Sequence, residues 1–256
     1  MRDSDGAVVA VLADYACHPT VLGPANLAYS ADYPAAARRV LSAGLAATED
    51  VETPPVVLFL QGAAGDVSTR FTRRSQTFAE ANRQGGILAG ALLRGVLAGE
   101  PLDAVTPVVV RGECVLPTRD LPTPDQARAT LAAAERARTG SRVTQTRYEG
   151  ATILAAMAEA GLPDSVTLPM SVVSLGDLAW VHLPVEPFTV FGERIRAASP
   201  FPVTRIVGYT DGYLGYLADE QAHREGRYEA LASLVGAAAG DAVVDRAVAL
   251  LAAART

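Results

Sequence analysis

The spacing of apolar and polar positions changes several times along the chain. Residues 7–16 (AVVAVLADYA) mix small and branched apolar residues as a buried strand does, ending on Cys17 and His18 before Pro19. Residues 29–47 (YSADYPAAARRVLSAGLAA) offer cap-like Ser30 and Asp32, a proline near the first turn and a run of helix formers, which predicts a helix. A short branched run at 54–62 (PPVVLFLQG) predicts a second buried strand, and the glycine-rich loop GAAGDVSTR follows it. Helices are expected at 76–99 and 124–138, the latter capped by Thr123 with Pro124 in its first turn. VVVRGECVL (108–116) reads as a strand, and residues 165–188 as two extended runs joined at Gly176 and Asp177. A helix (FTVFGERIRAA) and a strand (VTRIVGY) come next. The last 30 residues read as one amphipathic helix with Leu231, Leu234, Val235 and Ala238 on a face. Residues 116–165, rich in Ala and Arg, read as a loop-rich insertion. No repeat or linker interrupts the pattern, so the expectation is a single α/β domain over 1–256, a mixed β-sheet core with flanking helices.

Composition removes several classes of chemistry. All 22 basic residues are arginine, so Schiff bases, pyridoxal phosphate anchoring and a P-loop lysine are excluded. A net charge of −6 leaves RFTRR (70–74) as the nearest approach to a cationic cluster, which argues against nucleic acid as a partner. Cys17 and Cys114 stand far apart without CxxC spacing, so neither a disulfide framework nor a thiolate zinc site is signalled. The first residues lack a cationic signal-peptide opening, and no stretch reaches the ~18 apolar residues of a membrane span, so the chain reads as soluble.

Four polar clusters fall at predicted strand ends: CHPT, GAAGDVS, LPVEPF and GYTDGYLGY. Ligand sites of layered α/β folds lie off strand ends, so the clusters are candidates for one cleft. His18 is either a metal ligand or an ordinary half-buried histidine. Glu186, between Pro184 and Pro187, is a metal ligand, a general base, or an acid drawn to a helix N-terminus. His182, four residues earlier, makes a rival metal pair with it. Ser68 is a nucleophile or substrate donor, or else caps the following turn together with Asp66. Tyr209, Tyr213, Tyr216 and Tyr228 crowd into 20 residues of a chain with eight tyrosines, which raises the chance that a phenol faces chemistry.

Taken in order, YACHPT with SADYP, LQGAAGDVS, LPVEPFT and GYTDGYLGYLADEQAHREGRYE resemble the neutral/alkaline ceramidase family, zinc-dependent amidases that cleave the N-acyl bond of ceramide. The resemblance covers most of the chain. It implies a zinc cofactor held by His18, Glu186 and Tyr216, with Ser68 as catalytic serine and Tyr228 beside the reacting carbonyl. The substrate it implies is a small-molecule or lipid amide. His182 has no counterpart in the family.

The chain also departs from that pattern. The family's other zinc histidine lies in a His-Thr-His type segment before the CHP motif, whereas the 17 residues before His18 contain no histidine. An arginine that the family uses near the substrate belongs to the same absent part. The expectation is therefore the C-terminal portion of a ceramidase-like catalytic domain, incomplete at its N-terminus, with a complementary N-terminal segment as a candidate partner. A non-catalytic remnant or binding module is the alternative. Thr69 stands where proline is usual, and Asp211 where asparagine is common.

Overall fold

A computed structural model describes residues 1–49, 51–100 and 106–255. They gather into two compact units, Met1–Gly62 with Val67–Ala104, and Ala63–Asp66 with Val105–Thr256.

The first unit begins with strand β1 (Ala10–Tyr15), crosses over through helix α1 (Asp32–Glu49) and returns in strand β2 (Val56–Gln61). A 3₁₀ turn at Thr69–Phe71 leads to helix α2 (Phe78–Ala98). β1 and β2 pair in parallel from Ala10↔Val56 to Tyr15↔Gln61, so they need the helical crossover that the helix formers of 32–49 supply. Ser30 and Asp32 act at the start of α1 as expected: Ser30 Oγ accepts from the Asp32 N–H, and Asp32 accepts from the backbone of Leu22 and Tyr33. Alternate strand residues Val11, Ala13 and Val57 turn inward onto Leu41 and Leu45 of α1 and Ala89 of α2. Leu41 and Leu45 are fully buried, each contributing about 1.5–3 kcal/mol of apolar transfer.

The second unit runs β3 (Val108–Pro117), α3 (Pro124–Arg136), α4 (Arg142–Ala160), β4 (Ser165–Leu175), β5 (Leu178–His182), β6 (Glu186–Pro187), α5 (Thr189–Ala198), β7 (Val203–Val207), β8 (Tyr216–Leu217), α6 (Glu220–Glu225), α7 (Tyr228–Leu231) and α8 (Ala239–Arg255). Its main sheet has the order β3-β4-β5-β7, antiparallel except for the parallel β5/β7 pair, so the sheet is mixed. The inward side of β4 and β5 (Leu168, Met170, Val172, Val181) meets Val243, Ala247, Leu250 and Leu251 of α8 in the unit's core. β6 and β8 form a separate short parallel pair.

Two expectations are corrected. Residues 116–165 are not loop-rich: besides the expected helix, α3, whose Thr123 and Gln126 form a capping box with Pro124 inside it, they carry the 19-residue α4, whose N-cap is Ser141. Nor do the last 30 residues form one helix. Leu231 ends α7, and Leu234 and Val235 pair instead with Arg119 and Thr118. Ser233 Oγ adds a bond to the Tyr216 carbonyl, so tertiary pairing overrides the helical spacing of this stretch.

Candidate functional site

Of the five expected site residues, His18 and Ser68 belong to the first unit and Glu186, Tyr216 and Tyr228 to the second. In the first unit a parallel bridge sets His18 beside Ser68, with the His18 N–H donating to the Val67 carbonyl at 3.0 Å. His18 Nδ1 lies 2.9 Å from the same carbonyl. A carbonyl can only accept, so Nδ1 carries a proton in this contact. Ser68 Oγ lies 3.1 Å from Thr20 Oγ1 and accepts from the Arg70 N–H at 3.3 Å, capping the 3₁₀ turn. The capping role expected for Asp66 falls elsewhere: its carboxylate accepts from the Thr189 N–H and hydroxyl, both at 2.8 Å, at the start of α5.

In the second unit Glu186 and Tyr216 are register partners of the β6/β8 pair, and the Glu186 N–H donates to the Gly215 carbonyl at 2.9 Å. The GAAGD loop reaches this strand closely. Gly65 donates to the Pro187 carbonyl, and a Cβ on it would come within 2.6 Å of the Glu186 carbonyl, so the contact demands glycine.

The Glu186 side chain is only 5% exposed. Its Oε2 accepts from the Tyr209 phenol at 2.6 Å and its Oε1 from the Tyr213 phenol at 2.5 Å. The two phenol rings stack with planes 2° apart, while Tyr216 meets Tyr228 edge to face with ring centres 5.9 Å apart. Burial first, and the Glu186 charge after it, push the phenols of Tyr209, Tyr213 and Tyr216 above the ordinary tyrosine value. Burial also raises Tyr228, with Glu149 and then Glu186 adding to it. All four are neutral donors at neutral pH.

Sequence reasoning noticed the crowding of tyrosines but not that Tyr209 and Tyr213 hold Glu186. That pairing depends on a loop whose backbone turns left-handed at Tyr209 (φ 57°) and Asp211 (φ 59°), conformations that side-chain patterning does not announce. The rival His182 sits in β5 between Ser171 and Val207, and burial lowers its basicity against the opposing pull of Asp211. Among the described residues no three or more His, Cys, Asp or Glu side chains cluster, and no helix is long and apolar enough to cross a membrane.

No protein-family model matches the sequence, and no curated protein matches it significantly. Solved structures do. The chain is similar to the crystal structure of neutral ceramidase from Pseudomonas aeruginosa, with a TM-score of 0.68 and 17% identity over 99% of this chain and 45% of that one. It is also similar to a ceramidase complexed with C2, with a TM-score of 0.67 and 15% identity over 99% and 47% of the two chains. The chain thus shares the fold of part of neutral ceramidase and spans about half the length of these structures.

Proposed function

We propose that this chain carries site residues of a zinc-dependent amide hydrolase acting on an N-acyl amide of the ceramide type. His18, Glu186 and Tyr216 are the ligands in this reading, and Ser68 and Tyr228 the groups at the scissile carbonyl. The donor set fits the metal: imidazole nitrogen, carboxylate and phenol oxygen belong to the nitrogen and oxygen chemistry of catalytic zinc, and nothing in the set calls for a thiolate. Bound zinc would polarise the amide carbonyl and lower the pKa of a water to ~7.

The chain's own residues do the rest. The Val67 carbonyl takes the Nδ1 proton of His18 in a hydrogen bond and so fixes the ring, the orienting role that carbonyls play beside metal-binding histidines. Tyr209 and Tyr213 hold the Glu186 carboxylate in one orientation, each donating to a different oxygen. Tyr228, a neutral phenol, donates to the carbonyl oxygen as negative charge develops there; loss of one such donor typically costs ~10²–10³ in rate. Ser68 offers its hydroxyl proton to the same oxygen.

The observation that carries this reading is the Glu186–Tyr216 register pair with its two phenol clamps, set in a fold shared with part of neutral ceramidase. The deciding measurement is thermal melting with and without zinc, paired with hydrolysis of a fluorogenic N-acyl amide. Zinc at ~100 times its dissociation constant should stabilise the chain by about 2.7 kcal/mol, and Glu186→Gln and His18→Ala should each remove that gain. A melting curve indifferent to zinc in the unmutated chain sinks the proposal. A second reading, a binding module that keeps the fold without catalysis, is favoured by Ser68, whose Oγ already serves as a cap. Under that reading Ser68→Ala changes stability and no rate is there to change.

A further inference from the structure

The motif RFTRR, unused by the proposed chemistry, borders a hollow of about 430 Å³ that lies wholly in the first unit. His18 and Ser68 do not line it, although their neighbours Cys17 and Thr69 do. Its volume falls in the ~300–1,000 Å³ range of small-molecule sites.

The hollow has two chemically different ends. Along α2, Gln84, Ile87, Leu88 and Ala91 recur every three or four residues, so they form one stripe that runs ~10 Å down the helix. Ile87 is 62% exposed and Tyr15, also in the lining, 42% exposed, so the hollow leaves apolar surface in water. The buried Tyr33, which also lines the hollow, spends its phenol proton on the Cys17 carbonyl at 2.6 Å. The other end is cationic. Two guanidinium groups reach it, but Arg83 is committed to Glu80 through two hydrogen bonds. Arg74 is not: among the described residues only its backbone N–H engages an acid, again Glu80, and its guanidinium has no carboxylate partner. Arg70 and Arg73 lie in the same segment, which contains no acidic residue to offset them.

We propose that this hollow binds a single-chain anionic amphiphile, a long-chain carboxylate whose alkyl chain lies along the Ile87–Ala91 stripe and whose head group pairs with Arg74. One elongated apolar stripe ending on one uncommitted guanidinium matches that class on both counts: it buries the exposed wall and pairs the open cation. A neutral lipid satisfies only the first. The site goes beyond the proposed hydrolase reading and needs no metal.

The test uses the full chain with a chelator present, so that its result is independent of the zinc reading. Displacement of a dansyl-labelled undecanoate is followed with dodecanoate and with dodecan-1-ol, both below their micellisation thresholds. Saturable binding of dodecanoate is expected. Arg74→Ala should weaken dodecanoate about tenfold and leave dodecan-1-ol nearly unchanged. Ile87→Glu should weaken both ligands by more than that, since it sets a carboxylate in the apolar wall. Both substitutions fall on exposed side chains, and circular dichroism checks the fold. Non-saturable uptake, or dodecanoate affinity untouched by Ile87→Glu, overturns the site. Equal loss of acid and alcohol on Arg74→Ala, or loss of neither, overturns the assignment of an anionic ligand.

Discussion

Glu186 is a charged group almost removed from water, and burying a carboxylate without partners is expensive. Two phenols offset that cost, and they are not equivalent. Tyr209 is 40% exposed and Tyr213 60%, so water can replace the hydroxyl of Tyr213 more readily than that of Tyr209. Tyr209→Phe should therefore cost about 1–3 kcal/mol in urea unfolding, the penalty of an unmade buried bond, and Tyr213→Phe less than about 1 kcal/mol. Equal costs would mean that exposure does not govern the pair. Tyr209 also holds a left-handed backbone, a conformation that costs energy and persists only where surrounding contacts enforce it. Local pattern marks Glu186, between Pro184 and Pro187, and a crowd of four tyrosines; only the resemblance to the ceramidase family picks Tyr216 out of that crowd. Their adjacency was not legible. It comes from a two-residue strand pair between segments 30 positions apart, Glu186 with Tyr216, and no periodicity over two residues can signal that.

Helix α2 shows how much one element reads from its ends and how little from its middle. Its N-terminus follows from Thr77, whose side chain accepts from the Glu80 N–H, and from Glu80, whose carboxylate accepts from the Arg74 N–H and from Arg83 and Gln84. Arg83 first, then the Arg74 N–H, lower the Glu80 carboxyl from its ordinary 4.5 to about 2. A carboxyl lowered by folding adds stability that is complete above the unfolded value and fades as pH falls through the folded one. Glu80→Gln should thus lower the urea midpoint at pH 7, with the gap to the unmutated chain closing between pH 4.5 and 2. A gap constant over that window would refute the linkage. The middle of the helix holds the tandem Gly85-Gly86, two residues alike in sequence and opposite in setting. A Cβ on Gly85 would come within 2.5 Å of Ala36 Cβ and of the Tyr33 carbonyl on α1, whereas one on Gly86 would meet nothing within 4 Å. Gly85→Ala should cost about 1–3 kcal/mol through overpacking, and Gly86→Ala should gain about 0.5–1 kcal/mol from helix propensity, both read by thermal melting. Helix capping likewise made α1 and α3 legible. α4 was missed because its weak amphipathic pattern resembles a polar Ala-rich loop, and the break after α7 because Val235 finds a strand partner far away in sequence.

At the scale of the molecule, the alternation of strand and helix was enough to reach a mixed α/β architecture, but it does not say which sheet faces end up covered. Parallel strands are ordinarily packed on both faces. In the first unit α1 and α2 provide the core of the β1/β2 pair on one side, through Val11, Ala13 and Val57. On the other side the register sets Leu12 opposite Leu58 and Ala10 opposite Val56, and Leu12, Val56 and Leu58 are 40%, 58% and 47% exposed. An apolar face of this kind favours association, and the net charge of −6 spread over 256 residues opposes it weakly. The double substitution Val56→Thr/Leu58→Thr keeps branched, strand-compatible side chains on β2 while making the face polar. Light scattering at rising concentration should show less association for this variant, with unfolding free energy changed by no more than about 0.5 kcal/mol. Val57→Thr, one residue along and 4% exposed, sets a hydroxyl in the core and should cost about 1–3 kcal/mol without reducing association. If the double variant instead loses as much stability as Val57→Thr, the outer face of β2 is packed in solution.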